Sequence, residues 1–251
     1  MSVTATTERD LSGYAMVFMA GLLWSTVGLG IRLIEDAVVW QILFYRSISM
    51  SVFLYAVVRL RTGRAPLGLI RAMGWPGLVA GSALVAAYSG AIFALQTTSV
   101  ANAMMLFAAA PLIAAVLGRI LLAESVRPAT WVAIAVAACG IAVMVWDKTS
   151  GAALRGNLAA LGSALGFAVF TVALRRGRAV EMMPAVLLSG LIGTVVMAAI
   201  CLSLGLSLAL GPRDAGIAAG MGVFQVGAGL VLYTIGSRSV PAAELTLLSM
   251  S

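Results

Sequence analysis

Arg46 is the residue whose position most demands a chemical reason. It lies eight positions into the apolar run VVWQILFYRSISMSVFLYAVV, residues 38–58, about 12 Å from the nearer end at 1.5 Å per helical residue. An arginine that deep in a bilayer costs at least ~2.5 kcal/mol. Two readings stand level. Arg46 is a cation that holds a substrate carboxylate, or it is a structural guanidinium bonded to carbonyls or to a kinked helix end. Glu244, in VPAAELTLLS, is the second such group. Three residues after Pro241 it falls in a first helical turn, where the dipole favours an anion, and Arg238 is near in sequence. It is read either as a satisfied helix-start carboxylate or as a coupling or substrate-amine site. Glu35, Asp36, Glu124, Asp147, Glu181 and Asp214 all fall at segment ends or loops, so strong proton coupling is not expected.

The chain has no histidine, which removes the commonest zinc ligand and the commonest general base together. Cys139 and Cys201 lie in apolar runs without metal-ligand spacing and read as small buried hydrophobes. No paired carboxylates or metal constellation point to an enzyme, and no cofactor is called for.

Helical-wheel positions, at about 100° per residue, test whether Arg46 has company. Gln41, Tyr45, Arg46 and Ser49 share one face of their segment. Ser82, Tyr88, Ser89 and Gln96 share a face of another, and Ser163, Phe167 and Thr171 of a third. Gln225, Tyr233 and Ser237 lie with Gly222, Gly229 and Gly236 on a fourth. Singly, such residues are ordinary interhelical hydrogen-bonding and packing groups; jointly they suit a wet central cavity. Trp24 sits about eleven residues into the first segment, too deep for an interfacial belt, and is either a cavity wall or lipid-facing. Trp40, Trp75, Trp131 and Trp146 fall near segment ends, as belt residues do. The expected substrate-binding set is Trp24, Gln41, Tyr45, Arg46, Tyr88, Ser89, Phe167, Gln225 and Tyr233, with Glu244 at a coupling or helix-start position and no metal site.

The elements that must position these residues are transmembrane helices. The 251 residues are 62% hydrophobic and only 10% charged, less than half the charge share of a typical soluble domain. Eight apolar stretches, near 13–33, 38–58, 73–96, 101–122, 129–147, 156–175, 183–209 and 214–236, are long enough to cross about 30 Å of hydrocarbon. Their helical period and Gly, Ala and Leu content do not suit a β-barrel. The opening MSVTATTERDLSGY lacks the basic region and early apolar core of a signal peptide and reads as a polar tail. With the N-terminus in the cytoplasm, the inside holds Arg9, Arg59, Arg61, Arg64, Arg71, Arg119, Arg127, Arg175, Arg176, Arg178 and Arg238, and the outside Arg32, Lys148, Arg155 and Arg213. That bias sets the orientation. The arginines lie between apolar runs rather than on one stripe, so the high pI of about 10.3 does not indicate nucleic acid.

The chain also repeats. SVANAMMLFAAAP at 99–111 lines up with SVPAAELTLLSMS at 239–251, an offset of 140. Gly77 and Gly81 match Gly216 and Gly220, and Gly21 and Ser25 match Gly162 and Gly166. Five segments precede the repeat, so the second copy enters from the opposite side, the inverted repeat common in secondary transporters. The first repeat spans 1–150. The second, 151–251, stops in a ninth segment, and the offset predicts roughly 36 further residues after Ser251. Pro111 interrupts the fourth segment and predicts a kink.

The stretch ALQTTSVANAMMLFAAAPLIAAVLGRILLAESVRPATWVAIAVAACGIAVMV, beginning at Ala94, resembles the fourth and fifth helices of EamA-type drug/metabolite transporters, including the acidic residue, Glu124, that ends the fourth. LLWSTVGLGIR, 22–32, resembles the family's first helix, with a likeness to the aromatic amino-acid exporter branch, and VPAAELTLLS, 240–249, the ninth. The resemblance implies ten helices in two five-helix repeats and export of small metabolites, amino acids among them. The expectation is therefore an all-α integral membrane protein of the inner membrane. It would be a monomer that takes a small-molecule substrate, has the bilayer as its surroundings and works by alternating access. A packing or assembly subunit, and less so a membrane enzyme, are the alternatives.

Overall fold

A computed structural model describes residues 3–126, 128–146, 151–177, 182–240, 245 and 248. Glu244 lies outside the described residues. Among the described residues twelve α-helices and one π-helical turn follow in order: α1 Val3–Ser25, α2 Val27–Arg32, α3 Val39–Thr62, α4 Pro66–Ala72, α5 Gly74–Thr97, α6 Val100–Phe107, α7 Ala110–Leu122, α8 Pro128–Trp146, α9 Gly151–Arg176, α10 Met183–Ser203, α11 Pro212–Gly220, the π turn Met221–Gly227, and α12 Ala228–Gly236. No strand occurs among the described residues. Among the described residues, seven spans are long and apolar enough to cross a membrane: Ser12–Arg32, Val39–Thr62, Gly74–Thr97, Val100–Leu122, Leu154–Arg176, Met183–Ser203 and Pro212–Gly236. A shorter apolar helix covers Pro128–Val143.

Helix α1 begins at Val3, within the polar tail, and the apolar span it leads into begins at Ser12. One departure from the expected segments and one expected break have local causes. The expected span 183–209 ends as helix at Ser203, because Gly205 takes φ +69° and the Leu206 N–H turns back to the Cys201 carbonyl at 2.8 Å. A glycine in the left-handed region is the usual end of a helix. The fourth segment is broken at Ala108 and Ala109, just before Pro111, which cannot donate to the ladder. The predicted kink is there.

Close backbone approach organises the bundle. Helices α5 and α9 run antiparallel. A Cβ built on Gly166 would lie 2.8 Å from the Ala83 carbonyl oxygen and 3.0 Å from the Ala87 nitrogen, and one on Gly90 would lie 2.9 Å from the Ala159 oxygen. The Ser163 hydroxyl donates across the same interface to the Ala87 carbonyl at 2.6 Å. Small residues let helices meet this way where lipid supplies no hydrophobic drive. Helix α10 is antiparallel to α3, with Gly190 against Met50, Ser51 and the Ser47 carbonyl, and α12 is antiparallel to α1, with Gly236 2.8 Å, in the same sense, from the Gly13 oxygen.

Three antiparallel pairs thus stand out: α5–α9, α3–α10 and α1–α12. Gly81 of α5 lies on the Ala185 carbonyl of α10, while Gly222 of the π turn lies on the Arg46 carbonyl of α3. The helix directions bring Arg59, Arg61, Arg64, Arg71, Arg119, Arg175, Arg176 and Arg238 to one end of the bundle, called the basic end below. At the far end Asp214 clamps the loop after α2. Its carboxylate accepts from the N–H groups of Glu35 at 3.3 Å, Asp36 at 3.0 Å and Ala37 at 3.1 Å.

Gly166 and Gly162 give a paired test of this packing. Gly166→Ala should lose about 1–3 kcal/mol through overpacking against backbone. Gly162, whose Cβ would meet nothing within 4 Å, should gain about 0.5–1 kcal/mol as alanine. Thermal unfolding of the two purified variants in detergent reads both, and equal melting temperatures would contradict the contact.

Candidate substrate site

Four aromatic rings converge where α1, α9 and α12 meet. The Trp24 ring centroid lies 5.4 Å from that of Tyr233 and 5.8 Å, edge-on, from Phe167. Phe167 lies 5.4 Å from Tyr233, and Phe170 stacks on Tyr233 at 5.9 Å. Pairs in this range contribute about 0.5–1.5 kcal/mol beyond burial. Gly229 makes the junction possible, since a Cβ there would run into the Trp24 indole. Tyr233 is wholly buried, and its hydroxyl lies 2.6 Å from Thr171 Oγ1. Thr171 spends its one proton on the Phe167 carbonyl, 3.0 Å away, so the phenol is the donor of the shorter bond.

The indole is also fixed from its backbone. Helix α1 stops at Ser25, and the hydroxyls of Ser25 and Thr26 fold back to the Leu22 and Leu23 carbonyls at 2.8 and 2.7 Å. Gln225, in the π turn, donates through Nε2 to the Trp24 carbonyl at 3.3 Å. Its Oε1 is buried with no partner among the described residues. A π turn within an α-helix is a frequent mark of a functional site. Here it faces two ways, with Gln225 on α1 and Gly222 on α3.

Arg46 stands on the α3 side of that turn. Gly222 approaches so closely that a Cβ would lie 2.5 Å from the Arg46 oxygen and 3.0 Å from its Cα. The Nε of Arg46 is buried and has no partner among the described residues. Tyr88 of α5 is its electrostatic neighbour, and the Tyr88 and Ser47 hydroxyls both lie against Gly193. The Tyr88 hydroxyl lies 3.4 Å from the Ser189 carbonyl of α10, and Gly193 leaves room for the phenol, which a Cβ there would overlap.

The expected residues therefore divide. Trp24, Phe167, Gln225 and Tyr233 come together; Arg46 and Tyr88 form a second group, and the π turn touches both. Gln41 is engaged elsewhere: its Oε1 accepts from the Val38 N–H at 2.9 Å and its Nε2 donates to the Ser207 carbonyl at 2.6 Å, tying the start of α3 to the loop after α10. Tyr45 packs edge-on against its neighbour Phe44. The Ser89 hydroxyl returns to the Val85 carbonyl of its own helix. Phe170, Thr171 and Ser47 were not in the expected set of nine, although Thr171 lies on the same wheel face as Phe167. A second omission lies at the basic end, where Arg175 of α9 pairs with Glu124. Glu124 stood out in sequence only as the end of a helix, and nothing local linked it to an arginine 51 positions on.

Residues 11–146 match the model of the EamA-like transporter family. That is more than half of the chain. The chain belongs to the EamA-like transporter family. It is thus a multi-pass membrane protein of a transporter family, which implies a small-molecule substrate. A solved structure described only as "Crystal structure of protein" is similar at TM-score 0.74 and 23% identity, covering 96% of this chain and 84% of the other. That likeness shows the fold. No curated protein matches.

In this transporter the Tyr233 hydroxyl is separable from its ring. Tyr233→Phe should cost about 1 kcal/mol, the usual worth of one hydrogen bond. Tyr233→Ala should cost about 3–5 kcal/mol, because it empties a buried aromatic site. Chemical unfolding in detergent micelles checks the ordering, and a Phe variant as damaged as the Ala variant would contradict it.

Proposed function

We propose that the chain carries a small metabolite with a carboxylate and a hydrogen-bond-donating group, an amino acid being the simplest case. The reading rests on one observation, the buried and unpartnered Nε of Arg46. An intramembrane guanidinium with a buried nitrogen left unpaired is costly unless a ligand or water completes it. A carboxylate completes it best, since a guanidinium matches its geometry. The free Oε1 of Gln225, on the turn that touches Arg46, supplies an acceptor for a substrate amine. The neighbouring wall of Trp24, Phe167 and Tyr233 suits an apolar or aromatic side chain. That fits the likeness of the first helix to the aromatic amino-acid exporters.

Transport proceeds by alternating access, one bundle of helices rocking against another around a site between the two repeats, 1–150 and 151–251. The bias of arginines puts the basic end in the cytoplasm of an inner membrane, with the N-terminus inside, and the direction is export by a monomer. Gln41, Tyr45 and Ser89 act by shaping α3 and α5 around the site. Glu244 is kept as a coupling or helix-start residue.

Flux from proteoliposomes, measured over a panel of amino acids with and without a pH gradient, tests the reading. Arg46→Ala should lower flux at least about tenfold while leaving the folded yield near that of the parent, and Arg46→Lys should recover only part, because an ammonium lacks the planar fork. Parental flux from Arg46→Ala would remove the arginine from the site.

A further inference from the structure

At the basic end, one buried arginine joins three parts of the chain. Arg175, near the end of α9, has a side chain only 9% exposed. Its Nε donates to Glu124 Oε1 at 2.6 Å. Its Nη1 donates to the Ser237 carbonyl at 3.1 Å and also to the Val240 carbonyl. Glu124 belongs to the first repeat, and the two carbonyls follow α12 in the second. The arginine therefore ties α9 at once to the turn after α7 and to the chain after α12.

The acid is delivered by a strained turn. Ala123 takes φ +55°, a left-handed conformation that a non-glycine residue adopts only at a cost. The turn that follows α7 brings the Glu124 N–H onto the Gly118 carbonyl at 3.2 Å and its carboxylate onto Arg175. Beside the pair lies a cavity of about 340 Å³ lined by Leu121, Leu122, Glu124, Arg175 and Arg176. Its volume is enough for several waters, so both charges have somewhere to go and something to solvate them when they part.

The contact is also geared to the aromatic site. Arg175 is one turn beyond Thr171 on α9, and Ser237 is one turn beyond Tyr233 on α12. The Thr171–Tyr233 bond at 2.6 Å and the Arg175–Ser237 bond at 3.1 Å are successive rungs between the same two helices. Parting the outer rung leaves the inner one, and with it the Trp24–Tyr233 wall, as the next barrier.

Resting on the carrier reading above, we propose that Arg175, Glu124 and the carbonyls of Ser237 and Val240 form a latch that closes the basic end of the carrier and must release in each transport cycle. A static tie would fix the fold; a latch sets the balance between closed and open. Glu124→Gln keeps an acceptor and removes the charge, so it should shift that balance toward the open state.

The test uses the full chain in nanodiscs, with Cys139 and Cys201 replaced by serine and one reporter cysteine at a time. Val172→Cys reports on the basic end, where Val172 packs with Ala114 and Ala168. Ala160→Cys, buried in the same helix toward the far end, is the control. In the Glu124→Gln background the maleimide labelling rate at position 172 should rise about tenfold, as expected when a minor state gains population, with the rate at 160 unchanged. Equal rises at both positions would mean a loosened fold and overturn the latch, as would no rise at 172. If Glu124→Gln does not fold, the double variant Glu124→Cys/Arg175→Cys, bridged by a short thiol-specific cross-linker, decides instead. Bridging should abolish flux reversibly, and parental flux from the bridged protein would overturn the latch. Because labelling needs no substrate, a parent that moves none of the amino acids tested would defeat the substrate reading alone.

Discussion

Contact between backbones carries this bundle. In lipid an apolar side chain gains nothing by leaving its surroundings for another helix, so association depends on how closely two helices can lie and on the hydrogen bonds that closeness permits. Gly166 against the Ala83 carbonyl and Gly90 against the Ala159 carbonyl bring α5 and α9 together, and only at that separation does the Ser163 hydroxyl reach the Ala87 carbonyl. Helix α9 then presents Phe167, Phe170 and Thr171 to α12 and, one turn later, Arg175 to the loop after α7. The aromatic wall and the closure at the basic end both inherit their position from that one interface.

The same rule explains which polar groups carry meaning. The hydroxyls of Ser51, Ser89, Thr194 and Thr171 return to carbonyls three or four residues back in their own helices. A helix in hydrocarbon settles its polar side chains this way with little outside help. What is left over is informative because the background is so well satisfied. The Nε of Arg46 and the Oε1 of Gln225 are two of four such atoms among the described residues, and they lie on the two sides of one π turn.

Much of this was legible in the residues. Long apolar runs located the spans, because length and hydropathy are properties of a segment by itself. Arg46 and Trp24 stood out for the same reason, as residues too deep for their type. Register and partnership were not legible. A fixed 100° per residue put Gly222, Gly229 and Gly236 on one stripe, yet Gly222 packs on α3 while the other two pack on α1; the π turn between them advances by fewer degrees per residue. Gln41 shared a wheel face with Arg46, but the face says nothing of the Ser207 carbonyl arriving from a loop 166 positions away. Glu124 and Arg175 were each visible, and no local pattern joins residues 51 positions apart.

The clamp at the far end has a consequence for how the chain tolerates change. Asp214 addresses the N–H groups of residues 35–37, not their side chains. The pair between Arg213 and Glu35 is exposed at both ends and so adds little. As far as this contact is concerned, the loop is free to drift in composition while its path stays fixed. Only proline, which has no N–H to offer, is barred from it. The constraint is written at position 214 and exercised at 35, 36 and 37, so the side chains of that loop can change while its shape stays constant.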